Sequence, residues 1–583
     1  MIEIKRRPQP DISLLPETIP PILRRLYVGR GIHDASQLEK SARALHSYQL
    51  FKGMDVAVEI LYQAVVNQRR IIIVGDFDAD GATSTALSVL ALRMLGSNNV
   101  DYLVPNRFDD GYGLSPEVVV QAIDMGAEII MTVDNGVSSL EGVRYAKEQG
   151  LQVIVTDHHL PGETLPDADA MVNPNLPDCG FPSKALAGVG VAFYMMMALC
   201  VYMRKQNWFA QAGLAEPKLM TLLDLVALGT VADVVPLDDN NRVLVYQGLQ
   251  RIRAGQTRPG IQALIEVSNR DPRNLVASDF GFALGPRINA AGRLDDMSFG
   301  VELLLCNNIY AARRMASELD GLNQTRKEIE SGMKQEALAF CERLKLGEGA
   351  ALPFGIALFQ RDWHQGVIGI LASRIKDTYH RPVIAFADAG EGIMKGSCRS
   401  VPGLHMRDAL DLIDTTSPDL ILKFGGHAMA AGLSIRERDF ERFAARFDEV
   451  VHDLLDESAL KGVLLSDGEL LPEELSMHTA EILRSGGPWG QAFPEPLFDG
   501  EFRVLSQKLV GEKHLKLMLE PLHKGMPGHQ MVDAIAFNVD LRRWPDLSVK
   551  KVHIAYKLDI NIFRGNQSLQ LLIDHIEARS NGV

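Results

Sequence analysis

Cysteine is scarce in this sequence, with five among 583 residues, at 179, 200, 306, 341 and 398, and no CxxC pair. That spacing excludes a disulfide framework and a thiolate zinc site, and it fits a reducing cytoplasm. A surplus of positive charge is missing too: 60 Lys and Arg stand against 74 Asp and Glu, a formal net charge of −14. Bulk electrostatics therefore cannot hold nucleic acid to this surface. A polyanionic ligand would need local basic groups and metal ions. The N-terminal MIEIKRRPQPD has no apolar segment of the kind a secretory signal carries. One uncharged stretch, Ala185–Met203, has the length of a membrane span. Its opening Gly188-Val189-Gly190 reads as a turn, so the helix is expected to begin near Val191 and run roughly 20 Å. That is too short for a bilayer, and a buried core helix is expected instead.

The length implies two to four domains, and 46% hydrophobic with 23% charged residues is ordinary for globular protein. The first 50 residues are Pro-rich and then helical, with Arg24, Arg25 and Arg30. From about residue 70, apolar runs alternate with helical patterns, the mark of a parallel α/β sheet. Its strands are read at Ile71–Val74, Tyr102–Val104, Ile129–Val133 and Val153–Val155. Apolar residues at Met315, Leu319, Leu322, Ile329, Met333, Ala337 and Phe340 predict one long, otherwise polar helix over 311–346, a solvated connector. A second, smaller α/β pattern runs from about Phe354 to Leu455. Then Val552, Ile554, Tyr556, Leu558, Ile560 and Ile562 alternate with mostly polar residues, and Arg564–Gln567 reads as a turn before Leu569–Ile573. That is a β-hairpin, and a small all-β barrel of the OB type is expected to contain it. From Glu501 onward 12 Lys and Arg outnumber 9 Asp and Glu, a locally basic end to an acidic protein.

The chemistry-bearing residues follow the first strands. Gly75-Asp76-Phe77-Asp78-Ala79-Asp80-Gly81 comes after the first, with a helix expected from about Ala82. Asp134-Asn135-Gly136 follows Ile129–Val133, and Asp157-His158-His159 follows Val153–Val155 and Thr156. Asp233 closes Gly229-Thr230-Val231-Ala232 after an apolar helix. An isolated DxD is more often a turn or a helix cap, and a lone His pair is more often structural. Here four distant segments point to one crevice, because open parallel sheets bind ligands outside the carboxyl ends of their strands. Oxygen and imidazole donors without thiolates suit Mn²⁺ or Mg²⁺, and so many carboxylates repel one another unless cations neutralise them. A centre of two ions, sharing a bridging carboxylate and clamping a phosphoryl group, meets that need. Gly188-x-Gly190 is no dinucleotide fingerprint, since it lacks the third glycine.

GDFDADG with Asp157-His158-His159 resembles the DHH phosphoesterase superfamily. RDWHQGVIGILASRI (361–375), KGSCRS (395–400) and KFGGHAMAAGLSI (423–435) resemble its accessory DHHA1 domain. GPRINAAGRLDD (285–296), the long helix and the terminal β-domain complete the pattern of the bacterial RecJ family. Cys398 departs from it slightly, standing where a glycine is common. The resemblance covers nearly the whole chain. It implies an N-terminal extension (1–50), a DHH catalytic domain (51–240), a helical connector (241–348), a DHHA1 domain (349–460) and an OB-like β-domain (461–583).

The resemblance further implies a cytoplasmic, monomeric 5′→3′ exonuclease. It would release 5′-nucleotides from single-stranded DNA with Mn²⁺ or Mg²⁺, in repair and recombination, beside a single-stranded-DNA-binding protein and a RecQ-type helicase. By motif position, Asp78, Asp80, Asp134, His158 and Asp233 would hold the two ions, with Asp134 bridging them. Asp76 would be essential, His159 would contact the scissile phosphate, and Asp157 would orient a neighbour. Gly396–Arg399, with Ser397 and Arg399 foremost, and Gly425-Gly426-His427 look like anion-binding loops; each, taken alone, is equally a tight turn. Arg107 and Arg287 would be further phosphate contacts. An alternative is a DHH phosphodiesterase of short oligonucleotides or cyclic dinucleotides, which generally lacks the C-terminal β-domain. A non-catalytic replication scaffold would have lost metal ligands, and here every expected ligand type is present.

Overall fold

The computed structural model describes residues 2–8, 10–108, 112–346, 352–523, 526–528, 530–563 and 565–579. They form two compact units. One gathers residues 290–295 and 320–463 with those up to Glu3; the other comprises Ile4–Asn289, Asp296–Leu319 and the chain from Leu464 onward.

The larger unit contains a five-stranded, all-parallel sheet: β1 Ile71–Val74, β2 Val100–Leu103, β3 Ile129–Val133, β4 Gln152–Thr156 and β5 Ala170–Val172. The order across it is β2-β1-β3-β4-β5. Every residue of β1 and β3 is buried, which is why both read as apolar runs, broken only by Thr132: helices cover the two faces of a parallel sheet. The strand order reverses between β1 and β3, and that switch point is where such sheets open a crevice. Around it stand α1 Ala79–Met94, α2 Gly188–Lys205, α3 Leu223–Ala232 and α4 Gly285–Leu294. The body of α3 is fixed by Asp224, whose carboxylate takes the Arg258 guanidinium at 2.6 and 3.0 Å and the Thr257 hydroxyl at 2.9 Å.

Helix α2 is 18 residues long and mostly buried, as a core helix should be. It begins at Gly188, however, so Gly188–Gly190 is its first turn and not a turn leading into it. Likewise α1 begins at Ala79, three residues before the expected start. Among the described residues no helix is long and apolar enough to cross a membrane.

Helix α5, Ile309–Leu346, is the long helix expected, and its residues pass from one unit into the other. The smaller unit continues with β6 Ile356–Phe359, α6 Ile368–Tyr379, β7 Val383–Asp388, β8 Ile393–Arg399, β9 Lys423–Gly426 and β10 Ala430–Arg436. Its mixed sheet runs β9-β10-β8-β7-β6, and only β6 and β7 are parallel.

The larger unit ends in a closed barrel of β11 Phe498–Val510, β12 His514–His523, β13 Val532–Ala536, β14 Lys551–Phe563 and β15 Asn566–Arg579. Pairing runs β11-β12-β13-β15-β14 and back to β11, with β13 and β15 parallel. That is the five-stranded Greek-key barrel of the OB type. The hairpin expected near 564 joins β14 to β15. Arg564 lies outside the described residues, and β15 already starts at Asn566, because the ladder pairs Phe563 with Asn566. The N-terminal residues pack on this end of the unit. Arg30 forms a buried ion pair with Asp467 at 2.8 Å, and the Tyr27 hydroxyl donates to the Gly486 carbonyl at 2.8 Å.

Candidate metal centre

At the switch point the chain leaves β1 through Gly75–Phe77 and enters α1. Asp78 is the N-cap, its Oδ1 accepting from the N–H groups of Asp80 and Gly81 at 2.9 and 3.0 Å. The loop is tight: a Cβ on Gly81 would collide with the carbonyl oxygen of Asp76. Asp134 follows β3 in a left-handed conformation, φ +63°, which few non-glycine residues adopt outside functional sites. Asn135 Nδ2 ties the two strand ends together, donating to the carbonyls of Val74 and Val133 at 3.1 and 2.9 Å. Asp157 follows β4. Asp233 follows α3.

These placements bring Asp76, Asp78, Asp80, Asp134, His158, His159 and Asp233 together. One ligand-type atom from each of Asp76, Asp78 and Asp134 lies within 4.8 Å of the others. The same holds for Asp80, His158 and Asp233, and for Asp134, His158 and His159. Asp134 and His158 each belong to two of these groups. The donors are buried: Asp76, Asp80 and Asp134 are 5%, 1% and 2% exposed. Burial, and then the charge of Asp78, pushes Asp76 up to about 8 and Asp80 up to about 7. Burial and neighbouring carboxylates raise Asp134 and Asp233 well above the usual range. Such crowding is tolerable only with protons or cations among the oxygens.

Three buried atoms are placed to take cations. Asp76 Oδ1, Asp134 Oδ1 and His158 Nε2 make no hydrogen bond among the described residues. Burial, and then the adjacent His159, lowers His158 to about 4, so its imidazole is neutral; the ring bonds the Leu186 backbone while Nε2 makes no hydrogen bond, which leaves the lone pair on Nε2. That nitrogen stands 3.1 Å from Asp134 Oδ1 and 3.5 Å from Asp233 Oδ2. Oxygens and one neutral imidazole nitrogen, unpartnered and converging, suit hard divalent cations.

His159 differs from its neighbour. Burial opposes its charge, but the hydrogen bond from Nδ1 to Asp157 Oδ1 at 2.7 Å and the charge of Asp157 outweigh that, raising it to about 9. Asp157 also accepts from the N–H groups of His158, His159 and Val137, which holds it ionised. A fixed imidazolium therefore stands beside a carboxylate cluster. Arg107 joins it, its guanidinium 4.0 Å from the centre of the Phe77 ring. Phe77 meets Tyr112 edge-on, and Tyr112 meets His159 in the same way. Arg287, on α4, donates to the Ala283 carbonyl at 2.6 Å.

The other anticipated anion contacts belong to the smaller unit, where one correction is needed. Gly396–Arg399 is not a loop but the end of β8, paired on both sides. Its backbone N–H groups are engaged in the sheet, so only side chains can grip an anion there. Arg399 Nη1 donates to Ser397 Oγ at 3.1 Å, and both side chains cover Gly369 in the first turn of α6. Gly425 pairs with Gly432, which pairs with Ser397, so the two motifs share one row across the sheet. Gly425 and Gly426 lie on edge strand β9, and His427 opens a tight turn closed by its N–H on the Ala430 carbonyl at 2.8 Å.

Sequence reasoning gave Gly188 and Val189 no part in the site. Their N–H groups donate to the two oxygens of Asp80 at 2.6 and 2.9 Å, placing the positive end of α2 on a buried carboxylate. The glycine is required by proximity, since a Cβ there would lie 2.5 Å from Asp134 Oδ1. The signal was an uncharged helix beginning with glycine.

Two outcomes follow from this geometry. Gly188→Ala should weaken Mn²⁺ binding by at least about tenfold, ~1.4 kcal/mol, with a near-normal melting curve. Gly321→Ala, where nothing stands within 4 Å of an added Cβ, should leave binding unchanged; equal titration isotherms for both variants would refute the Gly188 constraint. Because Asp76 and Asp80 are raised to about 8 and 7, the metal-free centre holds protons at neutral pH and must release them to ligate. Mn²⁺ affinity should therefore rise by at least about tenfold between pH 6 and 8. Calorimetry in buffers of different ionisation enthalpy measures the protons released, and a buffer-independent enthalpy would contradict the assignment.

Known proteins share these features. Residues 70–230 match the DHH family, N-terminal domain; 352–453 match the DHHA1 domain, and 466–575 the RecJ OB domain. The single-stranded-DNA-specific exonuclease RecJ of Dickeya dadantii (strain 3937) is 64% identical over 574 residues, spanning 98% of this chain and 99% of that protein. The crystal structure of RecJ in complex with Mn²⁺ from Thermus thermophilus matches with a TM-score of 0.80 at 29% identity, over 99% of this chain and 80% of that one. The Mg²⁺ complex from the same organism matches with a TM-score of 0.73 at 28% identity, over 99% and 79% of the two chains. With its carboxylate–imidazole centre at the switch point and its three domains in this order, the chain belongs to the RecJ family.

Proposed function

We propose that this protein is a metal-dependent exonuclease that hydrolyses the phosphodiester bonds of single-stranded DNA from the 5′ end and releases 5′-nucleotides. The observation that carries the reading is the set of three overlapping donor groups that share Asp134 and His158, with their buried atoms that make no hydrogen bond. Two divalent cations, Mn²⁺ or Mg²⁺, would supply Lewis acidity and neutralise charge developing on the phosphoryl group. Asp78, Asp80, His158 and Asp233 would hold them, Asp134 would bridge them, and Asp76 would complete the acidic cradle. Asp157 holds His159 as a cation, which would contact the scissile phosphate and stabilise charge there. Arg107 and Arg287 would hold phosphates nearby. Ser397 and Arg399, with Gly425 and Gly426 of the same sheet and His427 in the turn that follows them, would grip a phosphate of the DNA.

The 5′→3′ polarity follows from the family resemblance, as do a cytoplasmic monomer, a role in repair and recombination, and work beside a single-stranded-DNA-binding protein and a RecQ-type helicase. So does the division into an extension (1–50), a DHH domain (51–240), a connector (241–348), a DHHA1 domain (349–460) and a β-domain (461–583).

Digestion of 5′- and 3′-labelled single strands with Mn²⁺ tests the reading. The 5′ label should appear at once as mononucleotide, while the 3′-labelled strand shortens progressively; the reverse order would overturn the polarity. Asp134→Ala should lower the rate at least about 10³-fold with an unchanged melting curve, and near-normal turnover would sink the assignment. Arg399→Ala should weaken strand binding and leave Mn²⁺ stoichiometry intact. Loss of Mn²⁺ with normal strand affinity would place Arg399 elsewhere in the mechanism.

A further inference from the structure

The first turn of α1 carries Asp78 and Asp80, and its N–H groups are accounted for almost entirely within the loop. Asp80 and Gly81 donate to Oδ1 of Asp78, and Ala82 donates to the Asp78 carbonyl at 2.9 Å. Ala79, between the two aspartates, is the exception. Its N–H donates at 2.8 Å to Oδ1 of Asn289, 210 residues away. The first N–H groups of a helix have no partner inside it, and a side-chain oxygen is the usual remedy.

Asn289 is itself held firmly. It lies on α4, next to Ile288, which is fully buried. The turn before α4, Phe280–Leu284, is π-helical, an arrangement found disproportionately at functional sites. Gly285, the first residue of α4, abuts Ala232, where an added Cβ would stand 3.1 Å from that of Ala232. Ala232 directly precedes Asp233. The start of α4 therefore rests against the end of the helix that delivers Asp233, while its fifth residue holds the loop that delivers Asp78 and Asp80.

We propose that Asn289 is a positioning residue of the metal centre, setting the Asp78–Ala79–Asp80 loop at the separation from Asp233 that two divalent cations require. This rests on the metal-dependent reading above. The accepting oxygen of the amide is the effective atom: without it the Ala79 N–H loses its partner and the first turn of α1 relaxes. Asn289 acts on backbone, so strand binding does not depend on it.

The test uses the full chain, with Mn²⁺ titration, exchange of the Ala79 amide proton, melting of the metal-free protein, and kcat and KM on a labelled single strand. Asn289→Leu, which keeps the size and removes the acceptor, should weaken Mn²⁺ binding about tenfold and speed Ala79 exchange. It should lower kcat at limiting Mn²⁺, recover with excess Mn²⁺, and leave KM for the strand unchanged. Asn289→Asp retains the oxygen, so Ala79 should stay protected and Mn²⁺ affinity should be at least that of the unaltered protein. Unchanged Mn²⁺ binding in Asn289→Leu overturns the proposal, as does a rise in KM alone, or damage by Asp equal to that by Leu. If Asn289→Leu does not fold, Asn289→Ala is read by the same criteria. Failure of the metal reading shows separately, as absent Mn²⁺ binding in the unaltered chain.

Discussion

The structure of the larger unit is organised around one unfavourable interaction, the mutual repulsion of carboxylates gathered in a nearly dry crevice. Asp76, Asp80 and Asp134 are almost fully buried, with Asp78 and Asp233 beside them. In a low dielectric that repulsion amounts to several kcal/mol per pair. The surrounding elements offset it with fixed dipoles. The start of α2 aims two N–H groups at Asp80, and the start of α1 aims two at Asp78. What the dipoles leave over is the demand for divalent cations. The glycine at 188 follows from this, since a side chain there would strike the Asp134 carboxylate, while one at 81 would strike the backbone of Asp76 and open the loop.

The two histidines of Asp157-His158-His159 show how local contacts divide roles between neighbours. The two rings lie together, their centres 4.4 Å apart, and they differ in what else they touch. One imidazole then meets the cluster and is neutral, while the other meets Asp157 and is charged. Asp157, accepting from three backbone N–H groups and one imidazole, produces the charged state, while burial and the adjacent His159 produce the neutral one. Arg107 and Phe77 extend the charged side by a cation–ring contact, without adding a carboxylate.

Much of this could be read in the sequence. Apolar runs located the parallel strands, because a strand covered on both faces must be apolar throughout, and the acidic motifs after them located the centre. The barrel was legible at β14, where apolar residues alternate with mostly polar ones apart from the register shift at Ala555 and Tyr556. What escaped were contacts set by tertiary approach. Gly188 looked like a turn residue because glycine disfavours helix interiors, but the close approach of Asp134 outweighs that propensity. Gly396–Arg399 looked like a loop for the same reason, and it is a strand because Gly396 must clear Phe386 and Leu433. Asn289 had no periodic or spacing signal at all; the N–H it accepts is 210 residues distant.

The order in which the pieces are synthesised has a consequence of its own. The larger unit is discontinuous in sequence, since its last segment, from Leu464, follows all but the first few residues of the smaller unit. Arg30 and its partner Asp467 are 437 residues apart. At about 5–20 residues per second, Arg30 would wait roughly 20–90 s on the ribosome before its counter-charge exists. The carboxylate cluster, complete by Asp233, would spend much of that interval without the barrel that finishes its unit. Nascent chains would thus be at their most vulnerable late in translation, when nearly every catalytic group is already made.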